Sequence, residues 1–380
     1  MPTQARSRAP SANRRRTLLA WFRKNARPLP WRQTKDPYRV WVSEVMLQQT
    51  QIATAIPYYQ RFLRAFPTVR HLAAARLERV LEVWSGLGYY RRARNLHSAA
   101  QKIVQEFHGE FPNEFDAIRP LSGIGRYTAG AVLSIAYNLP YTVLDGNVAR
   151  VVARLEALRG NLHEPGFRHA VEGQLELMLS RRSPGDFNQA LMELGETVCL
   201  PRAPRCPACP LRRSCAAFRA GNPERYPAPR PRRATEPRFL AAAVVRRGLR
   251  PNSESRIPNL AHVGQAGQLG MVRGLDDGLL GDLWNFPSAF GSSPAKAFAR
   301  LREKLAGVVR GDIEWGNGGK AVARLRHGIT YRAITVDVYT ATMPASAARS
   351  LRWFRPRELN QAAISQLARK VAATLDKRFP

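Results

Sequence analysis

The sequence predicts a mainly α-helical first part, followed by a smaller α+β domain. Up to residue 198 the apolar residues recur at helical spacing, whereas beyond residue 238 they alternate as they do in strands. Between the two parts, residues 216–238 hold five prolines interleaved with arginines, a composition typical of an extended linker. A chain of 380 residues has room for two domains, each with its own core.

The charge balance indicates a polyanionic partner. The chain carries 60 Lys and Arg residues against 28 Asp and Glu residues, a net charge of +32. Such an excess favours encounter with nucleic acid and gives no advantage to an enzyme of small metabolites. An acidic membrane surface is the weaker alternative, because no basic amphipathic helix stands apart from a core. No apolar run approaches the roughly 18 residues that span a bilayer.

The N-terminal residues 1–16 lack the apolar stretch of a secretory signal and predict a basic, flexible arm. We therefore expect a cytoplasmic protein that is associated with the nucleoid. Without a secretory route the cysteines stay reduced, which argues against disulfides.

A short turn between two predicted helices carries two glycines. The segment Leu121-Ser122-Gly123-Ile124-Gly125 stands directly before a helical run over residues 126–137. Glycines here allow a sharp turn and leave the first amides of the helix bare, and such amides attract phosphate. Taken alone the pattern is weak, because Gly-x-Gly turns are common.

A second turn, Asp145-Gly146-Asn147, opens the predicted helix Val148–Leu158. Either Asp145 or Asn147 could simply be an N-cap, the commonest role of these residue types at this place. Capping and catalysis are compatible, because the helix dipole favours the ionised form of the acid.

The first helix is predicted at Leu18–Asn25, and the second starts at Asp36-Pro37, with Asp as the cap and Pro at the first position. In the second helix Glu44 lies three residues before Leu47, within the apolar stripe. A buried Glu is either a structural acid paired with an Arg or an amide, or a carboxyl with a raised pKa that donates a proton near neutrality.

A later predicted helix carries an apolar face that extends from Ala93 to Phe107, and three arginines stand together in its first turn; they are Arg91, Arg92 and Arg94. This is the unfavourable end of the helix dipole for cations, so we expect them to meet an external anion, the alternative being ordinary solvated arginines. The other predicted helices are Leu72–Trp84, Phe167–Leu179 and Phe187–Val198.

All four cysteines of the chain lie in one short segment with the spacing x6-x2-x5; they are Cys199, Cys206, Cys209 and Cys215. Four thiolates in so little chain indicate one metal site. Zinc and a [4Fe–4S] cluster are both chemically sensible, and the spacing does not decide between them.

Several motifs together resemble one family. They include both turns described above, the x6-x2-x5 cysteines, Pro30-Trp31-Arg32, the run WVSEVMLQQT at residues 41–50 and Gly86-Leu87-Gly88-Tyr89-Tyr90. The set is similar to that of the MutY-type adenine DNA glycosylases, which remove adenine mispaired with 8-oxoguanine. They belong to the helix-hairpin-helix, iron–sulfur superfamily of DNA glycosylases that includes endonuclease III. The resemblance covers about residues 18–220.

The resemblance implies a two-part helix-hairpin-helix glycosylase domain at residues 17–218, with an iron–sulfur cluster loop at 199–215. A Pro/Arg linker would follow at 219–237, and a C-terminal α+β Nudix-like domain that recognises 8-oxoguanine at 238–380. It also implies that the four cysteines hold a [4Fe–4S] cluster. The expected partner is double-stranded DNA with an A:8-oxoguanine or A:G mispair, bound by a monomer because one site holds one flipped base.

The second domain resembles the family less closely. Strands are predicted at Leu240–Arg246 and Thr330–Thr340, and helices at Ala297–Val308 and Glu358–Leu375. Residues 278–287 resemble the entry to the Nudix-like domain, while residues 300–304 lack the paired glutamates of a metal-dependent hydrolase, so pyrophosphatase activity is not expected.

A lesion contact is implied at His327. The family usually has an aromatic-Ser-His loop on a hairpin, and this chain has Leu325-Arg326-His327 instead. The His is kept and its two neighbours differ, which leaves the aromatic and Ser contacts in doubt. Without the resemblance, a His at such a place is an ordinary surface residue.

The resemblance also implies the chemistry. Glu44 would protonate adenine N7, and ionised Asp145 would stabilise the oxocarbenium-like ion, the two-carboxylate logic of glycoside hydrolysis. Asn147 would orient that carboxylate or the water. Lyase-type relatives have a Lys where this chain has Tyr127. A phenol cannot form an imine, so we expect a glycosylase without efficient strand cleavage, with Tyr127 beside the sugar.

Adenine must leave the base stack to reach these groups. By resemblance, Gln49 and Tyr89 would fill the gap in the duplex. The pocket would be lined by Trp31, Arg32, Leu47 and Glu193, although Glu193 could equally be a solvated helix acid. The other residues expected to contact DNA are Gln48, Arg91, Gly123 and Gly125.

Two alternatives were weighed against this interpretation. An endonuclease III-like glycosylase/lyase for oxidised pyrimidines is disfavoured by Tyr127 and by the long second domain. A non-catalytic DNA-binding iron–sulfur protein is disfavoured by the two carboxylates, Glu44 and Asp145, with Glu44 on an apolar face.

Overall fold

The computed structural model describes residues 3–229, 234–247, 267–276, 280–281, 283–308, 313–329, 331–343, 351–360 and 362–376. The chain divides into two compact units, Met1–Val83 with Arg91–Pro231 and Trp84–Tyr90 with Arg232–Pro380. Among the described residues, no helix is both long enough and apolar enough to cross a membrane.

The first unit is helical, as predicted. Its helices are α1 (Thr3–Asn25), α2 (Pro37–Leu47), α3 (Ile52–Ala65), α4 (Val69–Ala74), α5 (Leu77–Trp84), α6 (Arg91–Glu106), α7 (Phe115–Ile118), α8 (Arg126–Ile135), α9 (Gly146–Glu156), α10 (Pro165–Met178), α11 (Pro184–Thr197) and α12 (Ala216–Arg219). α5 ends at Trp84, where the segment that groups with the second unit begins.

Four of these helices share one apolar core. Leu18 of α1, Val152 of α9, Leu175 of α10 and Leu191 of α11 are fully buried in the same cluster. Burial of such side chains is worth roughly 1.5–3 kcal/mol each. The core therefore holds α9, which follows Asp145, against α11, which carries Glu193.

Two helical predictions differ from the structure. The arm predicted as flexible is part of a helix that starts at Thr3, and Arg14 and Arg15 in this helix donate hydrogen bonds to the backbone oxygens of Ser214 and Leu179. The helix predicted at Leu72–Trp84 is two helices, since Thr68 caps the start of α4 and the backbone is extended at Ala75. The sequence analysis also missed α3.

The described residues of the second unit form an eight-stranded sheet. Its strands are β1 (Glu236–Arg247), β2 (Leu269–Arg273), β3 (Trp284–Asn285), β4 (Ser288–Gly291), β5 (Glu314–Trp315), β6 (Ala323–Ile329), β7 (Arg332–Met343) and β8 (Arg352–Phe354). The main path runs β3-β2-β1-β7-β5, with β4 on β1, β6 on β7 and β8 on β2. β1 and β7 pair in parallel and the other pairs are antiparallel.

The alternation of β1 gives the sheet two apolar faces. Leu240, Ala242 and Val244 pack with the helix α14 (Gln366–Asp376). Their neighbours at 241, 243 and 245 pack with α13 (Pro294–Val308). Because successive strand residues point to opposite faces, the two helices cover opposite sides of the sheet. This is the predicted α+β architecture.

The structure changes three details of the second unit. The strand predicted at Thr330–Thr340 is β7, which begins two residues later, and it forms a hairpin with β6, which was not predicted as a separate strand. The helix predicted at Glu358–Leu375 is a 3₁₀ turn, Pro356–Asn360, followed by α14. In the predicted entry segment, residues 278, 279 and 282 lie outside the described residues, while β3 lies within it.

Candidate active site and DNA interface

Glu44 lies on the buried face of α2 and is 6% exposed. It lines an open-sided pocket of about 440 Å³ together with four residues that the sequence assigned to the adenine pocket, which are Trp31, Arg32, Leu47 and Glu193. Met192 and Gln189 of α11 also line this pocket and were not predicted. Met192 is apolar on an α11 face that is largely buried, so nothing in the sequence separated it from ordinary core.

The carboxyl of Glu44 has a raised pKa, which results from effects that raise it and others that lower it. Burial raises the pKa of Glu44 from 4.5 to about 7, although a hydrogen bond from Tyr127 lowers it. The charge of Asp145 raises the pKa further, and that of Arg32 lowers it. An acid with this pKa exchanges a proton near neutrality. It is not the structural acid paired with an Arg that was the alternative.

Tyr127, on α8, is joined directly to this acid. Its Oη donates to Glu44 Oε2 at 2.8 Å and lies 3.7 Å from Met192 Sδ. Burial and the neighbouring Glu44 and Asp145 raise the pKa of Tyr127 well above its usual value. The phenol therefore keeps its proton and remains a hydrogen-bond donor.

Asp145 is the N-cap of α9, one of the two roles foreseen. Its Oδ1 accepts from Val148 N at 2.7 Å. Burial raises the pKa of Asp145, and the backbone amides of Val148 and Asn147 oppose that rise. The helix amides thus favour the ionised form as predicted, but burial outweighs them.

Asn147 is linked to the cysteine loop through an arginine that the sequence analysis did not single out. Arg150 Nη2 donates to Asn147 Oδ1 at 2.8 Å and to Gly195 O at 2.9 Å, and its Nε donates to Cys199 O at 2.8 Å. α9 and α11 approach closely here, since a Cβ on Gly195 would lie 2.8 Å from Asn147 Cβ. Arg150 therefore holds both the turn that carries Asp145 and the backbone of the first cysteine, Cys199.

Glu193 is not a solvated helix acid. It is 1% exposed, and its oxygens accept from Arg27 Nε at 2.6 Å and from Arg32 Nη2 at 2.8 Å. Burial raises the pKa of Glu193, but the hydrogen bonds from Arg27 and Arg32 outweigh it, so the pKa lies below its usual value. The pocket thus contains one carboxylate held ionised and one acid, Glu44, that titrates near neutrality.

The glycine turn, Gly123 to Gly125, bends the chain sharply just before the first amides of α8. Gly123 has φ of 76°, and a Cβ there would lie 2.7 Å from Asn95 Cβ. Gly125 caps α8 without any side-chain hydrogen bond, so the first amides of that helix are left to another acceptor.

Gln49 and Tyr89, the wedge residues predicted to fill the gap in the duplex, are exposed and have left-handed backbone conformations. Gln49 has φ of 57° and Tyr89 has φ of 47°, and Tyr89 is 52% exposed. Gln48 Nε2, by contrast, lies 3.4 Å from Thr128 Oγ1. Arg91 is exposed at the start of α6.

The prediction that three arginines of α6 face an external anion is wrong for Arg92. Arg92 is 8% exposed, and its guanidinium donates to the backbone oxygens at the end of α2. Carbonyls left unpaired at a helix C-terminus are a strong acceptor for a buried guanidinium. The spacing of arginines within α6 gave no sign of this partner.

The four cysteines line one cavity of about 400 Å³, and all four thiols are free. Arg154 of α9, which is 2% exposed, donates to Cys199 Sγ at 3.4 Å and to Pro201 O at 2.9 Å. Within the described residues, no three His, Cys, Asp or Glu side chains are grouped so as to hold a single metal ion.

His327 lies on β6 opposite Ile334 of β7 and is half-buried. Burial, followed by the charge of Lys370, lowers the pKa of His327. Its Nδ1 is buried without a hydrogen-bond partner among the described residues. The lowered pKa favours the neutral ring.

Comparison with known proteins agrees with this geometry. Residues 42–173 match the HhH-GPD superfamily of base excision DNA repair proteins. The chain is 34% identical to the adenine DNA glycosylase of Mus musculus, over 94% of this chain and 76% of that protein. It is 42% identical to the adenine DNA glycosylase of Buchnera aphidicola from Acyrthosiphon pisum, over 55% of this chain and 60% of that protein.

A solved structure supports the fold of the first unit. A thermostable thymine-DNA glycosylase aligns with 56% of this chain and 97% of its own, at 25% identity and a TM-score of 0.51. The hairpin, the buried acid and these matches define a helix-hairpin-helix DNA glycosylase that acts in base excision repair.

The match to the mouse protein, which extends along most of both chains, assigns the chain to a family within this class. This chain belongs to the adenine DNA glycosylase family, enzymes that hydrolyse the N-glycosidic bond of adenine in DNA.

Proposed function

We propose that the substrate is adenine mispaired with 8-oxoguanine or guanine in duplex DNA, and that the enzyme releases the base without efficient strand cleavage. The observation that carries this proposal is the hydrogen bond between Tyr127 and Glu44 in the pocket. It joins a proton donor to a residue that cannot act as an amine nucleophile. The pair supplies a proton donor for adenine release, but Tyr127 supplies no amine for the imine that a lyase forms with the sugar.

Glu44 acts as the general acid that protonates adenine N7. Its pKa of about 7 supports this role, because roughly half of the carboxyl is protonated at neutral pH. When the N-glycosidic bond breaks, its electron pair leaves with the base. A protonated base accepts that pair more readily, so the proton from Glu44 lowers the barrier.

Asp145 stabilises the positive charge that develops on the sugar. Its place at the N-terminus of α9, with a bond from Val148 N, fixes the direction of its free oxygen. Asn147 orients this carboxylate or the attacking water and is itself held by Arg150. The two carboxyl groups thus divide proton donation and charge stabilisation between them.

Tyr127 replaces the lysine of lyase-type enzymes. A primary amine could attack the sugar carbon and form an imine, and a phenol cannot. Since its pKa is far above the working range, Tyr127 remains a neutral donor to Glu44. The expected product is an intact strand with an abasic site.

The DNA duplex is held at the glycine turn and opened at the wedge. The bare amides after Gly125 suit a phosphate, and the exposed Gln49 and Tyr89 suit the gap that a flipped adenine leaves. In the second unit, half-buried His327 on β6 is the residue that we assign to 8-oxoguanine recognition.

The cysteine loop holds a [4Fe–4S] cluster. Two observations support this: the four thiols line one cavity, and their x6-x2-x5 spacing resembles the cluster signature of the family. When bound, such a cluster cross-links the loop and is a one-electron centre. Arg154 and Arg150 would hold the loop backbone in place around it.

A direct test measures single-turnover adenine release from duplexes with A:8-oxoguanine, A:G and A:T pairs. We expect release from the first two and little from the third. Glu44→Gln and Asp145→Asn should abolish release while binding to the mispair is kept, and His327→Ala should reduce the preference for 8-oxoguanine over guanine. Release that persists in both carboxylate variants would contradict the assigned roles.

A further inference from the structure

Arg92 belongs to α6 in sequence but completes the end of α2. It donates to Val45 O at 3.0 Å and to Met46 O at 2.9 Å. Both carbonyls belong to the last turn of α2, which ends at Leu47 and so leaves its final carbonyls without intrahelical donors. A buried cation here satisfies those acceptors and complements the helix dipole.

The same guanidinium continues beyond the helix into the turn that follows. Its Nη1 donates to Gln48 O, and its Nη2 donates to Thr50 Oγ1 at 3.2 Å. These two contacts stand on either side of Gln49. One side chain therefore ties the end of α2 and both flanks of the turn into a single unit.

The turn needs such a tie, because of the conformation at its centre. Gln49 has φ of 57°, in the left-handed region that residues with a Cβ seldom enter. The side chain of Gln49 is exposed, so packing of that side chain does not hold the conformation. A backbone bond from Thr50 N to Leu47 O at 3.2 Å closes the turn, and the bonds from Arg92 hold the two neighbours of Gln49.

The planar shape of the guanidinium is what makes this possible. Arginine presents five donors in a fixed fork, whereas a lysine ammonium is a compact point charge. The acceptors around Arg92 are three carbonyls and one hydroxyl that are spread over residues 45–50. The three carbonyls accept from Nη1, and Thr50 Oγ1 accepts from Nη2, so both terminal nitrogens are used. A lysine ammonium is a single nitrogen that ends one bond short of Nη1, so it keeps the charge at the helix end but does not reach both flanks of the turn.

We propose that Arg92 is a positioning residue for base extrusion: it presents the Gln49 turn to the duplex so that adenine can leave the stack. This inference rests on the proposed function, in which Gln49 fills the gap. Because the turn follows directly on the helix of Glu44, the fork also ties the position of the wedge to the position of the acid.

The test separates extrusion from excision and from stability. Asp145→Asn stops excision, and in that background the rise in fluorescence of 2-aminopurine, placed at the target adenine opposite 8-oxoguanine, reports extrusion alone. Arg92→Lys is added to this background, and separately to the wild-type enzyme for the single-turnover excision rate constant. Melting temperatures are measured for every variant.

Arg15→Lys is the matched control. Arg15 Nη1 donates to Leu179 O, the residue that caps the end of α10, so the chemistry is the same at another helix. α10 carries none of the residues assigned to the site. We expect this variant to excise and extrude adenine as the wild type does.

For Arg92→Lys we expect an excision rate constant at least tenfold lower and most of the fluorescence rise lost. Its melting temperature should fall more than that of Arg15→Lys, because Arg92 is buried and makes four contacts where Arg15 makes one, but it should stay above the assay temperature. Thr50→Val removes only the Oγ1 contact and should lower the rate constant two- to threefold, which keeps the test decisive if the lysine variant is unstable. A rate constant within twofold of wild type, or a lower rate with an unchanged fluorescence rise, would overturn the inference. If wild-type protein releases no adenine, the proposed function fails instead.

Discussion

Tyr127 Oη donates a hydrogen bond of 2.8 Å to Glu44 Oε2, so the tyrosine at the lysine position of lyase-type enzymes contacts the acid itself. The two side chains come from α8 and α2, 83 residues apart in sequence. The bond favours the ionised carboxylate, whereas burial favours the neutral acid, and the balance leaves the pKa of Glu44 at about 7.

Replacing Tyr127 by Phe removes the donor and should raise the pKa of Glu44 further. A hydrogen bond to a charged group contributes about 1.5 kcal/mol or more, which corresponds to roughly one pH unit. Because Glu44 must be protonated to act, the excision rate constant of the wild type should fall as the pH rises through about 7. In Tyr127→Phe this fall should move to higher pH.

The single-turnover rate constant between pH 5.5 and 9 measures that shift. Met192→Leu, which alters the weaker contact of Tyr127, is the control and should leave the position of the fall unchanged. A fall that stays in place or moves to lower pH in Tyr127→Phe would show that the hydrogen bond does not govern Glu44.

The pKa of Glu44 also predicts a pH-dependent stability. The folded protein binds the proton of Glu44 more tightly than the unfolded chain does, since the pKa rises from 4.5 to about 7 on folding. The contribution of Glu44 protonation to the free energy of unfolding is therefore fully present below pH 4.5. It is lost as the pH rises through about 7, by on the order of 3 kcal/mol. Glu44→Gln keeps an oxygen for Tyr127 and removes this loss.

Denaturant unfolding at pH 8 and pH 5.5 tests the point. The free energy of unfolding of Glu44→Gln should exceed that of the wild type at pH 8, and the excess should shrink at pH 5.5. Glu176→Gln, at an exposed position of α10, should show no such gain. An excess that does not change with pH would contradict the assigned pKa.

Removal of the Glu193 carboxylate should destabilise the pocket. Glu193→Gln leaves the guanidinium groups of Arg27 and Arg32 without the ion pairs that Glu193 now provides. Breaking a buried pair by removing one partner costs several kcal/mol, and we expect about 2–3 kcal/mol here because Arg27 is partly exposed.

Glu196→Gln provides the comparison for that variant. Glu196 also pairs with Arg27, but both side chains are about one-third exposed. The loss of this pair should cost less than about 1 kcal/mol. Thermal unfolding of both variants gives the two values, and similar losses would mean that burial does not set the strength of the network.

The cluster loop should depend on Arg154. This side chain donates to Cys199 Sγ and to the backbone oxygens of Leu200 and Pro201. Arg154→Met should therefore lose iron to a chelator several-fold faster than the wild type, followed by visible absorbance and by iron content. Arg205→Met, an exposed change in the same loop, should match the wild type, and equal rates for all three would contradict the role of Arg154.

Much of this site could be predicted from local sequence. Asp36 and Asp145 cap α2 and α9 as the sequence indicated, and Glu44 is buried because its position in the apolar stripe requires it. Such features depend on residues within one or two turns of each other. The parallel pairing of β1 with β7 could not be read in this way, because it joins segments about 95 residues apart.

Several contacts that sequence reasoning missed join distant segments. Arg92 reaches the end of α2 from more than 40 residues away, and Arg150, beside Asn147 in α9, bonds to Cys199 O, 49 residues further along the chain. An arginine on a helix looks alike whether it meets solvent, DNA or a carbonyl of another helix. β6 was missed for a different reason, since its burial alternates without a fully buried residue.

We proposed that Glu44, a buried acid, and Tyr127, a phenol that cannot form an imine, give an adenine glycosylase without efficient strand cleavage. The most direct measurement incubates the protein with a duplex holding one A:8-oxoguanine pair and reads strand breaks before and after hot alkali, with A:T and thymine-glycol duplexes as controls. We predict breaks at the adenine only after alkali. Breaks without alkali, or at thymine glycol, would contradict both the substrate and the role of Tyr127.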